Sequence, residues 1–144
     1  MIAKVISPDH PRTYALIFET GDEVASSLKE FAEENQLSGS SFKGVGALSD
    51  VKVGWFNWEK KKYETAASLN EQVEVLSLLG DIALHDGAPA VHAHIVVGKK
   101  DGTAHGGHLQ EAHVRPTLEL ILTESPATLQ KKHDPESGLA LIRS

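Results

Sequence analysis

Apolar residues recur at every second position in run after run of this chain, and at helical spacing in only one stretch. That contrast limits the fold more than any other feature, because the two periods bury different kinds of surface. Over residues 13–19, Tyr14, Leu16 and Phe18 share one face and Ala15 and Ile17 the other. Over 117–123, Leu118, Leu120 and Leu122 alternate with Glu119 and Ile121. Val51, Val53 and Trp55 alternate with Lys52 and Gly54 over 51–58. Over 72–79, Val73, Val75 and Ser77 are set against Glu74, Leu76 and Leu78. Gly80 is expected to break that strand, with 81–85 running on to a turn at Asp86-Gly87-Ala88-Pro89. Further strands are expected at 40–48, 63–67, 91–97 and 103–109, with a polar turn at 59–62 and Asp101-Gly102 as a hairpin signal. The helical stretch carries Val24, Leu28, Phe31 and Ala32 through about Asn35, with Asp22 placed to cap it and Lys29 and Glu33 four apart outside. The expected fold class is α+β, a largely antiparallel sheet with one main amphipathic helix.

A chain of 144 residues is the size of one domain and buries a full core without a staple. It reads as a single domain over 1–144, with a core at about 12–124 and a tail at 125–144 holding a short final strand at 139–142. Cysteine is absent, which removes disulfides, thiolate metal sites and cysteine nucleophiles, and is compatible with a reducing cytosol; the expected location is cytoplasmic. No apolar run is long enough for a transmembrane helix, and residues 1–11 lack the pattern of a signal peptide, so no membrane partner is expected. Lys and Arg number 14 against 20 Asp and Glu, a net charge of −6 that repels a phosphate backbone. The two basic clusters, 60–62 and 99–100, fall in turns whose lysines solvate the tip.

Histidine is the outlier. Of eight, five (His92, His94, His105, His108 and His113) fall in one short segment. His92 and His94 lie two apart on one strand, so both point to the same face with Cα atoms about 6.6 Å apart. Across the turn at 99–102 the returning strand brings His105 or His108 alongside. His108 is the preferred third ligand, because Gly106 and Gly107 clear side-chain bulk beside it. Three neutral imidazoles with an open fourth position suit Zn²⁺, and also Ni²⁺, Cu²⁺ or Fe²⁺. The competing reading is of histidines bonded to backbone carbonyls or lining an interface. His113 reads as solvent-facing, and His10, His85 and His133 carry no assigned role. Glu119 and Glu74 are strand carboxylates; Glu119 is the candidate general base, and ion pairing with Arg115 or Lys43 is the plainer role for either. There is no nucleophile elbow and no phosphate-binding glycine loop; Gly44-Val45-Gly46 is too strand-like. Trp55 and Trp58 suit a core or interface more than base stacking.

Ala90-Val91-His92-Ala93-His94, Asp101-Gly102, Gly106-Gly107-His108-Leu109 and Pro116-Thr117-Leu118-Glu119 together resemble the PPC domain, the plants and prokaryotes conserved domain. Gly44-Val45-Gly46-Ala47-Leu48-Ser49 and the segment 73–80 resemble the same family in order and spacing, over about residues 12–124. The resemblance implies a sandwich-like domain assembling as a homotrimer. For stand-alone prokaryotic members it implies a metal site at the positions of His92, His94 and His108. In plant members, DNA contact belongs to AT-hooks, and no Arg-Gly-Arg-Pro hook occurs in these 144 residues. Glu71-Gln72-Val73-Glu74 departs from the plant pattern, and His113 stands where the family usually has a small residue. The leading expectation is a trimeric, zinc-type metal-binding protein of unknown substrate. The alternatives are a DNA-associated regulator, disfavoured by charge, and a metal-free protein-interaction scaffold.

Overall fold

The structure is a computed structural model that describes residues 1–143 other than 8 and 10, so His10 lies outside the described residues. Its elements in chain order are β1 (Ile2–Ser7), β2 (Thr13–Glu19), α1 (Val24–Glu34), β3 (Gly39–Asn57), β4 (Lys62–Leu69), β5 (Val73–His85), β6 (Ala88–Gly98), β7 (Ala104–Glu124), β8 (Gln130–His133) and β9 (Ala140–Ile142). Nearly all pairings are antiparallel; β5 with β8 is parallel. Strand β3 pairs with β5, β5 with β6, β6 with β7 and β7 again with β3, so four long strands close on themselves. Closure removes the open edges such strands would otherwise present. β2 and β1 extend the sheet beyond β7, and β4 pairs with the far half of β3.

The period-two faces on β2 and β7 are those expected: Leu16, Phe18, Leu118, Leu120 and Leu122 are buried. Two other expected faces are not, and both fail at a bulge. Val51 and Val53 are buried, but the register slips between Val53 and Gly54, and Trp55 is 60% exposed. The register slips again between Val75 and Ser77, which turns Leu78 into the core and leaves Leu79 58% exposed. One inserted residue exchanges the two faces for the rest of a strand.

The expected break at Gly80 does not occur, and β5 runs through it. A Cβ there would lie 2.2 Å from the Phe42 ring and 2.5 Å from the His92 carbonyl, so this glycine admits a ring and a neighbouring strand rather than ending one. β3 joins the two strands expected at 40–48 and 51–58, and β7 joins those at 103–109 and 117–123. β7 passes Pro116 because the ladder to β3 is interrupted between Val114 and Leu118, where a missing N–H costs no bond.

Helix α1 buries Val24, Leu28, Phe31 and Ala32 against β6 and β7. Its cap is Glu23, not Asp22. The Glu23 carboxylate accepts from the Ala25 and Ser26 N–H groups and also from Ala112 N–H on β7, a span the longer side chain can reach. Asp22 instead accepts from Glu19 N–H and pairs with the N-terminal ammonium at 2.6 Å. In the tail, the final strand appears as β9, and β8, which was not expected, continues the edge of β5 where β3 ends.

Candidate metal centre

Two turns set the site. At Asp86-Gly87 both residues have positive φ, 50° and 81°, the signature of a two-residue hairpin turn. This pairs His85 with Ala88 and, counting back, Asp81 with His92 and Leu79 with His94. The loop at 99–103 then pairs His94 with His108. His92, His94 and His108 share one outward face, while His105 sits opposite Val97, an odd number of residues from His108, and points to the other face. Gly106 and Gly107 clear space for backbone: added Cβ atoms would meet the Ile95 carbonyl at 2.9 Å and the Gly54 carbonyl at 2.5 Å.

The three rings lie 5.1, 5.3 and 5.6 Å apart between centroids. One ligand nitrogen from each falls within 4.8 Å of the others. Tetrahedral zinc, with bonds of about 2.0–2.1 Å, spaces its nitrogens about 3.4 Å apart, so side-chain rotation of about 1 Å closes the set. His108 is stacked on Tyr63 at 4.1 Å, and its buried Nδ1 has no hydrogen-bond partner. Such an orphan nitrogen fits a cation ligand. Burial, and then His92, His94 and Lys131, push the His108 imidazole down to about 4. Burial and His92 also lower His94. Both shifts favour the neutral imidazole, whose lone pair binds a cation without releasing a proton.

Asp81 stands 3.5 Å from His92 Nδ1, at the outer limit of a hydrogen bond, and 3.4 Å from the Lys131 ammonium. Burial opposes its ionisation, but His92 and Lys131 outweigh burial and hold it below the usual carboxylate range. A carboxylate behind a ligating imidazole fixes the ring and raises its basicity. Asp81→Asn is expected to weaken metal affinity about tenfold, the low end for such partners given the long contact, by competition with a chromogenic chelator.

Glu119 is not beside the triad. It lies on β7 opposite Val45, in a groove with Lys43, Leu76, Leu79 and Ile121, whereas His92 and His108 line a different cavity. Glu74 is near Glu71, Gln72, Lys99 and Lys100, and Arg115 bonds Gln72 rather than either carboxylate. Lys60 and Lys99 pair with Glu64 and Glu71 at their turns, and Lys61 covers the Trp58 ring at 3.9 Å. His85 lines the same cavity as His92 and His108, and His133 is exposed on β8. The residues that sequence reasoning missed are Asp81, Tyr63 and Lys131. Asp81 alone had a signal, since a two-residue turn at Asp86-Gly87 places it opposite His92.

His113 is not simply solvent-facing. Its Nδ1 is 2.8 Å from Asp50, whose other oxygen accepts from Ser49. The Asp50 bond raises His113; burial opposes ionisation of Asp50, but the bonds from His113 and Ser49 lower it. The Asp50 contribution is present above the usual carboxylate value and is lost as pH falls through the lowered one. The His113 contribution is present below its usual value near 6.5 and is lost as pH rises through the raised one. His94 and His108, whose lowered values favour the folded state as pH rises, run the other way, so the pair is read by difference. His113→Gln is expected to cost more stability at pH 5.5 than at pH 8.5, by denaturation of variant and parent at each pH, and that difference in cost isolates the pair. It stays under about 1 kcal/mol, because both side chains are about a third exposed.

The profile of the Plants and Prokaryotes Conserved (PCC) domain matches residues 6–126. The chain belongs to this family. Solved structures similar to it include a plant- and prokaryote-conserved protein from Pyrococcus horikoshii, 32% identical with a TM-score of 0.86, covering 99% of this chain and 95% of that one. A metal-containing protein from Archaeoglobus fulgidus is 28% identical, TM-score 0.84, covering 100% and 99%. A candidate DNA-binding protein from Ralstonia eutropha is 26% identical, TM-score 0.86, covering 98% and 96%. The bifunctional protein GlmU of a Synechococcus strain is 29% identical over 130 residues, 88% of this chain. The chain spans a fifth of that curated relative's length. Among the described residues no helix is long and apolar enough to cross a membrane. Within the family, His92, His94, His108 and Asp81 fall in the matched segment, and Lys131 falls beyond it.

Proposed function

We propose that this chain is a metal-binding member of the family, in which His92, His94 and His108 hold a divalent transition ion, zinc first, within a homotrimer. The carrying observation is the convergence of three imidazole nitrogens within 4.8 Å of one another; the buried His108 Nδ1 without a hydrogen-bond partner accords with it. The metal-containing relative from Archaeoglobus fulgidus supports it. A divalent cation on three neutral imidazoles supplies a Lewis acid with an open position. Around it, Asp81 orients His92, and Tyr63 packs His108 in place. Glu119, the sequence's candidate base, would act at the triad only if supplied across a subunit contact. The test is elemental mass spectrometry on untagged protein, loaded with zinc and dialysed. About one ion per chain is expected; none would return the histidines to packing and leave an interaction scaffold.

The homotrimer is supported by an apolar outer face. Val45, Leu76, Leu79 and Ile121 are 58, 56, 58 and 39% exposed around one groove. Apolar patches of this kind on a soluble chain mark contact surfaces.

DNA association is the second reading, favoured by the description of the Ralstonia eutropha relative. The net charge of −6 stands against it. Fluorescence anisotropy with duplex DNA at about 0.15 M salt is expected to show no saturable binding; tight binding there would reverse the ranking.

A further inference from the structure

The triad does not stand alone on its face. Two of its members, His92 and His108, line a cavity of about 380 Å³ whose walls also include Tyr63, Asp81, Lys131 and Leu141. Lys131 and Leu141 come from the C-terminal hairpin of β8 and β9, beyond the segment the family profile matches. β8 is anchored there by parallel pairing of Leu84 with Gln130 and His85 with Lys131.

Lysine is almost never this buried without a charged partner, because its ammonium is strongly hydrated. The Lys131 side chain is only 8% exposed, and Asp81 stands 3.4 Å from its ammonium. An ammonium carries three donors. With no cation in the triad, Lys131 and Asp81 cancel, and an anion entering the cavity gains nothing. A divalent cation on the histidines turns the same cavity into one with two net positive charges in a partly desolvated space, where charge pairing is strong.

We infer that this cavity binds a small oxyanion, a carboxylate or phosphate group, with Lys131 as its anchor beside the metal. The inference rests on the metal reading of the triad. It makes the C-terminal hairpin the part of the chain that selects the ligand, through one charge and the apolar wall at Leu141.

The test uses the full chain loaded with cobalt(II), whose visible spectrum reports its surroundings, titrated separately with sodium phosphate and sodium acetate. A saturable spectral change with at least one anion is expected; which anion produces it distinguishes a phosphate from a carboxylate ligand. Lys131→Met is expected to keep one cobalt per chain and weaken the anion at least tenfold, and Lys131→Arg to restore most of the affinity. Cobalt bound but insensitive to both anions overturns the anion site alone. So does a Lys131→Met protein that matches the parent. Loss of cobalt from Lys131→Met would make the lysine a structural support of the centre and also overturn the anchor. Failure of the unmodified chain to take up cobalt overturns the metal reading and the anion site with it.

Discussion

His94→Ala is expected to lower bound metal from about one ion per chain to near zero after dialysis, read by elemental mass spectrometry. His94 is the exposed member of the triad, so its removal leaves no cavity in the core. Two imidazoles remain, on residues of adjacent strands, and two neutral nitrogens do not hold a labile divalent ion against dialysis as three do. Loss of a group merely behind a ligand costs 10–100-fold in affinity, and loss of a ligand costs more. His92→Ala and His108→Ala are expected to behave alike. His105→Ala is the control: it sits opposite Val97 on the other face of β7 and should keep its metal. Stoichiometric metal in all three triad variants would place the ion elsewhere.

Val45→Asp is expected to dissociate the assembly. Light scattering on the parent chain should give three times its 15.5 kDa mass, and on the variant a single chain. Val45 is 58% exposed on β3, beside Leu79 and Ile121 and opposite Glu119 on β7. A carboxylate at the centre of an apolar contact must be desolvated without a partner, which costs several kcal/mol. Glu119 next to it adds repulsion of like sign. Asn70→Asp adds the same charge on an exposed loop residue and should leave the mass unchanged. A parent that runs as a monomer would remove the trimer, and the apolar face would need another partner.

Fold class was legible because burial imposes periods. β2 and the second half of β7 alternate strictly, and α1 carries its four core residues at helical spacing, so each element's buried face follows from its own residues. Legibility ended at the bulges. Nothing local to Val53-Gly54 or to Val75-Leu76-Ser77 announces an extra residue, because a bulge answers to the strand beside it. Gly80 shows the same limit. Read alone, a glycine suggests a break; its environment, Phe42 and the His92 carbonyl, comes from two other strands.

The histidine cluster divides along the same line. His-x-His on one strand, a turn at Asp101-Gly102 and a later histidine were enough to put His92, His94 and His108 on one face, since strand alternation and hairpin register are local properties. The chain by itself therefore determined the strand-rich α+β fold, its one helix and the candidate ligands. Asp81 behind His92, Tyr63 stacked on His108 and Lys131 with its largely covered side chain arrive from β5, β4 and β8. Glu119, by contrast, is carried to a different groove. Those placements were decided only when four long strands closed on one another and β8 docked on β5. The environment of a charge is a property of everything packed around it, and no spacing along the chain encodes that.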